Sequence, residues 1–478
     1  MGPPRRIPER LASRDKAVRY FWFSFFLLFV SVRWAGAQNS SDPMARHYKA
    51  AQTALRSNNQ DLAATEYKAF LSEAIHRVAN AKGRAGNLSD AAGSFEEALA
   101  ISGSDLALRL DYASVLLDEG NFRDAAATAQ RVVEDEPKNA RARVLLARAQ
   151  FEQKDYSAAK DNFKTALEAG RFAEVWRLLA ITYLRLQDLD SARALIHRAI
   201  TAIGDTPRNR VETATVYYYG DYPEVAAEEL QKVIARHPTA PEAHYYLGLA
   251  YLGHNEEAGY TKAVPEFREQ LKIDPDDFGS HYILGHVAMQ QRNFVEAEQE
   301  LLRARALNPQ DAGTQLLLGQ LYSEANRNAE AETTLRNLIA SWDENSPPDF
   351  RLIRAHYMLG RLLQESGRAD DGISEIKIAE QMRKQLRAST GESSESSLGN
   401  SERSAPGTLN VSGEKKQVKA TAAEEAKARA FIAQISPLIG EAYYNLAGIS
   451  SQHGDSAAMA HYLQLARQWD PTLTAPQH

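Results

Sequence analysis

The chain contains no cysteine. That excludes disulfides, thiolate nucleophiles and metal sites built on cysteine. Basic charge is scarce as well: 56 Lys and Arg stand against 62 Asp and Glu, a formal net of −6. Residues 1–37 hold seven of the cations (Arg5, Arg6, Arg10, Arg14, Lys16, Arg19 and Arg33) against Glu9 and Asp15. Taking away that surplus of five leaves −11 on residues 38–478. Such an acidic body lacks the basic footprint that general nucleic-acid binding requires. No stretch reads HExxH, GxSxG, a Walker loop or a GxGxxG that opens a helix after a strand. No Phe, Tyr or Trp occurs between Tyr357 and Phe431.

Long apolar runs are missing too, with one exception. Residues 20–32, YFWFSFFLLFVSV, follow a basic segment and precede a small-x-small site at Ala35-Gly36-Ala37. These are the three parts of a secretory signal peptide, with cleavage expected before Gln38. The run is short for a membrane span, which needs roughly 20 residues. The long basic segment and Arg33-Trp34 leave an uncleaved N-terminal anchor as the alternative. Either way the body is expected outside the cytoplasm, in the periplasm or at the outer envelope of a bacterium.

What the sequence does have is a period. Residues 285–309 read GHVAMQQRNFVEAEQELLRARALNP, and the pattern recurs every 33–34 residues. Copies begin near 44, 72, 106, 140, 173, 207, 241, 278, 312 and 353. Each reads as two amphipathic helices of about 13 residues. A glycine at position 8 of the later copies (Gly248, Gly285, Gly319, Gly360) and an alanine at position 20 (Ala226, Ala263, Ala297, Ala331) let the two helices approach closely. An aromatic or Leu at position 24 fills the gap between them. Pro137, Pro238, Pro275, Pro309 and Pro471 end second helices. One hairpin cannot bury its apolar face alone, whereas stacked copies can.

The pattern resembles the tetratricopeptide repeat in its period, its small residues at positions 8 and 20, its position-24 aromatic and its position-32 proline. The resemblance implies an all-α fold, a right-handed α-solenoid of stacked helix-turn-helix repeats. Ten copies cover residues 38–384. Residues 385–424, rich in Ser, Gly and charge, read as a disordered linker. A helix and an eleventh copy follow over 425–473, and that copy is expected to stack on the tenth.

The resemblance also implies a concave face lined by each first helix. On it fall Tyr218, Tyr219, Tyr245, Leu249, Tyr282, His286, Met289, Gln320, Tyr357, Arg361 and Gln364, the candidate partner-binding residues. Tyr444 lies on the same face of the eleventh copy, and earlier copies place Arg148, Glu152, Glu174, Arg177 and Arg185 there. Tyr and Arg are common interface anchors, though ordinary packing between neighbouring helices accounts for a tyrosine stripe equally well. The Lys and Asn that in this family grip a C-terminal carboxylate at positions 5 and 9 are absent from the copies at 241, 278, 312 and 353. His244, His281 and His356 recur at position 4. Successive copies lie about 10 Å apart, far beyond a metal–nitrogen bond of about 2 Å, so these read as half-buried packing histidines and no metal is expected.

The expected function is a non-catalytic protein-protein interaction scaffold outside the cytoplasm that takes a partner peptide or helix in the concave groove. The alternative is an accessory subunit of an envelope enzyme system, in polysaccharide export, protein glycosylation or secretion. No catalytic residue, cofactor or nucleic-acid partner is expected.

Overall fold

The structure, a computed structural model, describes residues 42–253, 256–342, 349–390 and 420–473. The expected signal segment, residues 343–348 and most of the Ser-rich stretch lie outside the described residues. Among the described residues the chain forms 21 α-helices and no strand. It divides into two compact units, Met1–Val132 with Lys419–His478, and Val133–Val418.

The first unit holds α1 (Pro43–Arg56), α2 (Gln60–Arg84), α3 (Leu88–Ile101), α4 (Leu106–Glu119) and α5 (Phe122–Asp135), at whose end the division falls. With them stand α20 (Ala422–Gln452) and α21 (Ser456–Trp469). The second unit holds α6 (Ala140–Glu152), α7 (Tyr156–Glu168), α8 (Phe172–Arg185), α9 (Leu189–Ile203), α10 (Pro207–Tyr219), α11 (Pro223–Arg236) and α12 (Ala243–Leu252). It continues with α13 (Glu256–Ile273), α14 (Phe278–Gln290), α15 (Phe294–Leu307), α16 (Ala312–Glu324), α17 (Asn328–Ala340), α18 (Phe350–Glu365) and α19 (Ala369–Thr390). Each consecutive pair from α6 onward is one expected copy, and the fold is an α-solenoid of such hairpins. Of the expected linker, residues 385–390 and 422–424 are helical and residues 391–419 lie outside the described residues.

Short polar residues start the helices. Asp155, Asp188, Asp277, Asn293 and Asp311 each accept a hydrogen bond from a backbone N–H one turn ahead, which satisfies a donor the helix leaves orphaned. Between the two helices of a copy the chain passes through one left-handed residue. It recurs at Asn58, Gly86, Gly120, Lys154, Gln187, Asp221, Arg292, Asn326, Gly367 and Gly454, all with positive φ. The side chain changes but the backbone conformation does not, and this keeps the phase of the copies even where the sequence match is thin.

The position-8 glycines are where the helices touch. A β-carbon placed on Gly285 would lie 2.6 Å from Leu301 Cγ, on Gly319 2.7 Å from Leu335, on Gly360 2.7 Å from Ile376 and on Gly248 2.7 Å from Phe267. Position 8 of each first helix therefore meets position 24 of its own second helix, as the sequence predicts. We expect Gly285→Ala to lose about 2 kcal/mol through overpacking, read as a lowered urea midpoint. An unchanged midpoint would mean that Leu301, which is fully buried, can move aside.

The copy at 241 carries three extra residues in its inner turn, within NEEAGYTKA, and its second helix is longer: α13 has 18 residues where α15 has 14. The register is kept at the far end, where Phe267 is fully buried.

The C-terminal helices correct one expectation. They group with the first unit and not with the unit that holds the tenth copy, and α20 packs along α2. The side chains of Gln60 and Gln452 are hydrogen-bonded, Ala63 clusters with Ile449, Asn445 donates to the Tyr67 hydroxyl at 3.1 Å, and Ala81 clusters with Ala428. Numbers rise on one helix as they fall on the other, so α2 and α20 run antiparallel along their length. The α20 stripe is Ala428, Phe431, Ile435, Leu438, Ala442, Asn445, Ile449 and Gln452. Its spacing alternates three and four, the period of a coiled-coil seam. The sequence misled because α2 fuses the second helix of the first copy with the first helix of the next into 25 residues. That long helix offers a face which a short hairpin would not.

Candidate protein-binding face

The first helices of consecutive copies in the second unit touch one another: α6 meets α8, α8 meets α10, α10 meets α12 and α16 meets α18. The candidate residues sit on this first-helix face, and the structure sorts them into three groups. Tyr245 (4% exposed), Leu249 (3%) and Met289 (4%) are core. Tyr218, Tyr219, Tyr282, His286 and Gln320 are half-buried. Tyr357, Arg361 and Gln364, one stripe of α18, are exposed. Tyr444, half-buried, belongs to the other unit, and the Glu174 side chain lies outside those described.

The three buried residues do not offer a surface, unlike the open face the sequence suggests, and the tyrosines show the reason. A β-carbon on Gly279 would lie 2.7 Å from the Tyr245 ring, and one on Gly313 would lie 3.2 Å from the Tyr282 hydroxyl. A position-5 tyrosine thus covers the glycine at position 2 of the next copy. Tyr245 also packs edge-on against Tyr246 at 5.3 Å and Phe267 at 5.8 Å. Burial holds its phenol well above the usual tyrosine range. Tyr357 is the position-5 tyrosine of the last copy of this unit, and it is 47% exposed. Below it on the same helix face, Arg361 reaches Glu365 at 3.3 Å. Tyr357 and then Glu365 hold the Arg361 guanidinium above its ordinary pKa.

The position-4 histidines are packing residues, as the sequence suggests, but charged hydrogen bonds hold them. His244, His281 and His356 each place Nδ1 2.6 Å from a carboxylate of their own second helix: Glu266, Glu300 and Glu375. His47 does the same with Glu66 at 2.7 Å. In His244 and His281 the Nε2 also stands 3.1 Å from a proline carbonyl of the preceding turn, Pro238 and Pro275. Gln315 donates to the Pro309 carbonyl at 2.8 Å, and Arg143 to the Pro137 carbonyl at 3.0 Å, from the same position of their copies. In these four copies position 4 therefore ties the copy to the turn before it. The carboxylates were missed by the sequence reading, although a His–Glu spacing of 19 recurs at 47/66, 281/300 and 356/375 and could have marked them.

The earlier copies carry cations on this face. On α6, Arg148 is half-buried beside Glu152, whose carboxyl burial raises and Arg148 lowers, with a net rise. On α8, Arg185 donates to the Tyr219 carbonyl at 2.8 Å and lies 3.7 Å from Asp221. Arg177, one turn into α8, is 6% exposed. Among the described residues no group of His, Asp and Glu could hold a metal ion, and no helix is long and apolar enough to cross a membrane.

Family profiles described as tetratricopeptide repeat match residues 84–149, 116–181, 150–208 and 288–347, and a second of the same description matches 212–259 and 256–312. Together they span more than half of the chain. The cytochrome c-type biogenesis protein CycH of Rhizobium meliloti (strain 1021) is 33% identical over 105 residues, 21% of this chain. The match spans 27% of that protein's length. Among solved structures, MamA from Desulfovibrio magneticus RS-1 is 21% identical, with 38% of this chain and 97% of that one covered and a TM-score of 0.34. A tetratricopeptide repeat protein from Parabacteroides merdae ATCC 43184 is 16% identical, with 58% and 93% covered and a TM-score of 0.34. Yeast Tom70 is 13% identical, with 84% and 92% covered and a TM-score of 0.32.

Proposed function

The chain belongs to the tetratricopeptide-repeat family, and from that premise we propose that it is a non-catalytic scaffold which holds a partner protein on the first-helix face of its second unit. The observation that carries this reading is the stripe Tyr357, Arg361 and Gln364. Equivalent tyrosines in two earlier copies are covered by the next copy, whereas this one is open and has a cation beside it. Tyr and Arg together are the side chains that most often anchor interfaces. The scaffold is exported, its basic and apolar N-terminal segment directing it to the periplasm or outer envelope as a cleaved signal or an anchor.

A second reading is favoured by the matching stretch of a protein named for cytochrome c-type biogenesis. Here the chain is an assembly subunit that presents a partner to an enzyme carried on another chain. Both readings put binding in this chain and chemistry elsewhere.

The test compares the full chain with Tyr357→Ala/Arg361→Ala/Gln364→Ala as baits in envelope extract. One partner is expected on the wild type and absent from the triple variant, with equal circular dichroism for both. Capture of the same partner by both baits would place binding elsewhere and sink the assignment. N-terminal sequencing of the exported protein is expected to begin at Gln38; a chain that stays in the cytoplasm would overturn the localisation.

A further inference from the structure

We propose that the outer face of α19 is where two copies of this chain pair, each α19 lying antiparallel against the other across a two-fold axis. The proposal stands apart from the scaffold reading, which concerns a stripe on α18 and a different partner. At the two joints before the tenth copy, position 21 of one copy carries a glutamate that pairs with an arginine at position 16 of the next. Glu298 meets Arg327 at 2.6 Å, and Glu332 meets Arg368 in the same way. In the tenth copy, the last of its unit, position 21 holds Ile373 instead, 43% exposed. Ile376 at position 24 is only half-buried, whereas Leu301 and Leu335 at that position are fully buried. A solenoid that ends in water needs a polar outer face on its terminal repeat. Here the end of the unit exchanges the recurring glutamate for an isoleucine.

The charges around Ile373 select the occupant. Asp370, Ile373, Lys377, Glu380, Lys384 and Arg387 are all exposed and follow one another at intervals of three and four, so they form one stripe along α19. None of the charged members has an ion pair among the described residues. The stripe starts acidic and ends basic, which makes it complementary to itself when reversed. An antiparallel copy set so that Lys377 faces Glu380 also brings Asp370 opposite Arg387, and Ile373 opposite the aliphatic stem of Lys384. The two-fold axis makes each of these contacts twice. A parallel copy in register would face every charge with its like. The length of α19 fits the same pairing. It has 22 residues, where the other second helices of its unit have 13 to 18. Position 32, where a proline follows several other second helices, is Lys384, and the helix runs on through Arg387. The added turns therefore supply the basic half of the stripe.

Sedimentation of the purified full chain tests the pairing. Wild type is expected to pass from monomer to dimer between about 1 and about 100 µM, the range of a small interface. Lys377→Glu and Glu380→Lys each set like charges against one another twice over. Each is expected to weaken the dimer at least about 10-fold, with circular dichroism unchanged. Mixing the two variants brings opposite charges together again at both contacts, and the mixture is expected to dimerise as wild type does. Damage within one helix could not be repaired by mixing, so recovery identifies a contact between copies in this register. A wild type that stays monomeric, single variants that dimerise unchanged, or a mixture that does not recover would each overturn the proposal. The scaffold reading is decided separately, by partner capture with the Tyr357, Arg361 and Gln364 substitutions.

Discussion

Glu97→Ala is expected to loosen the C-terminal hairpin from the first unit. One oxygen of this carboxylate accepts two hydrogen bonds, from the Tyr443 hydroxyl at 2.7 Å and the Trp469 indole N–H at 2.8 Å. The first comes from α20 and the second from α21, so a single acceptor on α3 pins both helices of the hairpin. Tyr443 is 1% exposed, and its hydroxyl would be left buried and unpaired. Burial and the Glu97 charge already hold that phenol far above its ordinary pKa, so ionisation offers it no relief. Hydrogen bonds to a charged acceptor contribute about 1.5–3 kcal/mol each, and a stranded buried donor adds its desolvation cost. The loss should come to about 3 kcal/mol, because the two bonds share one oxygen and do not add fully. Lys82, whose ammonium lies 6.0 Å from the Trp469 ring centroid, keeps a weaker hold. The readout is hydrogen exchange: α20 and α21 amides should exchange about 100-fold faster, while α6 to α19 stay unchanged. Tyr443→Phe removes one donor without stranding the other and should lose only about 1 kcal/mol. Unaltered protection in Glu97→Ala would mean that the Ala and Ile contacts of the α2–α20 seam hold the hairpin by themselves.

The seam shows where the sequence could be read and where it could not. Repetition makes the copies legible, because the Gly285–Leu301 kind of contact is local to one hairpin and recurs in register. Prolines two residues beyond α5, α11, α13, α15 and α21 fall where the period puts them. The partner of the eleventh copy is a different matter. Tyr443 and Glu97 are 346 residues apart, and no period connects them. Stacking on the preceding copy is only the default that a repeat suggests. The candidate face divides in the same way. Position within the period puts Tyr245 and Tyr357 on one face, yet their exposure depends on whether another copy follows. The clue was in the sequence as Gly279 and Gly313, which matter only once a tyrosine from the previous copy is seen to lie over them.

The position-4 clamp at His281 should make the stability of the second unit depend on pH. Both ring nitrogens face acceptors, Glu300 through Nδ1 and the Pro275 carbonyl through Nε2. Only the doubly protonated ring can donate to both. Burial opposes that charge, and so does nearby Arg303, but the Glu300 carboxylate and the Pro275 carbonyl outweigh them. The net effect raises the His281 pKa above its ordinary 6.5. Arg303 is itself paired with Asp276 in the same turn. A histidine whose pKa is higher folded than unfolded binds more protons when folded. Its stabilisation is therefore complete below the unfolded value near 6.5 and drains away as pH rises through the higher folded value. Wild type is expected to lose about 1 kcal/mol more than His281→Gln between about pH 6 and about pH 8, measured as urea midpoints. Gln315 shows that glutamine can make the carbonyl contact from this position without titrating. His281→Ala is the severe case. It leaves the Glu300 carboxylate, 18% exposed, without its partner and the Pro275 carbonyl without its donor. Breaking a largely buried pair by removing one member costs about 3 kcal/mol. That loss should be greatest at low pH, where the wild-type clamp is fully charged, and should shrink as pH rises. A His281→Ala penalty equal at both pH values would mean that the ring contributes packing alone and that the two acceptors are satisfied by water.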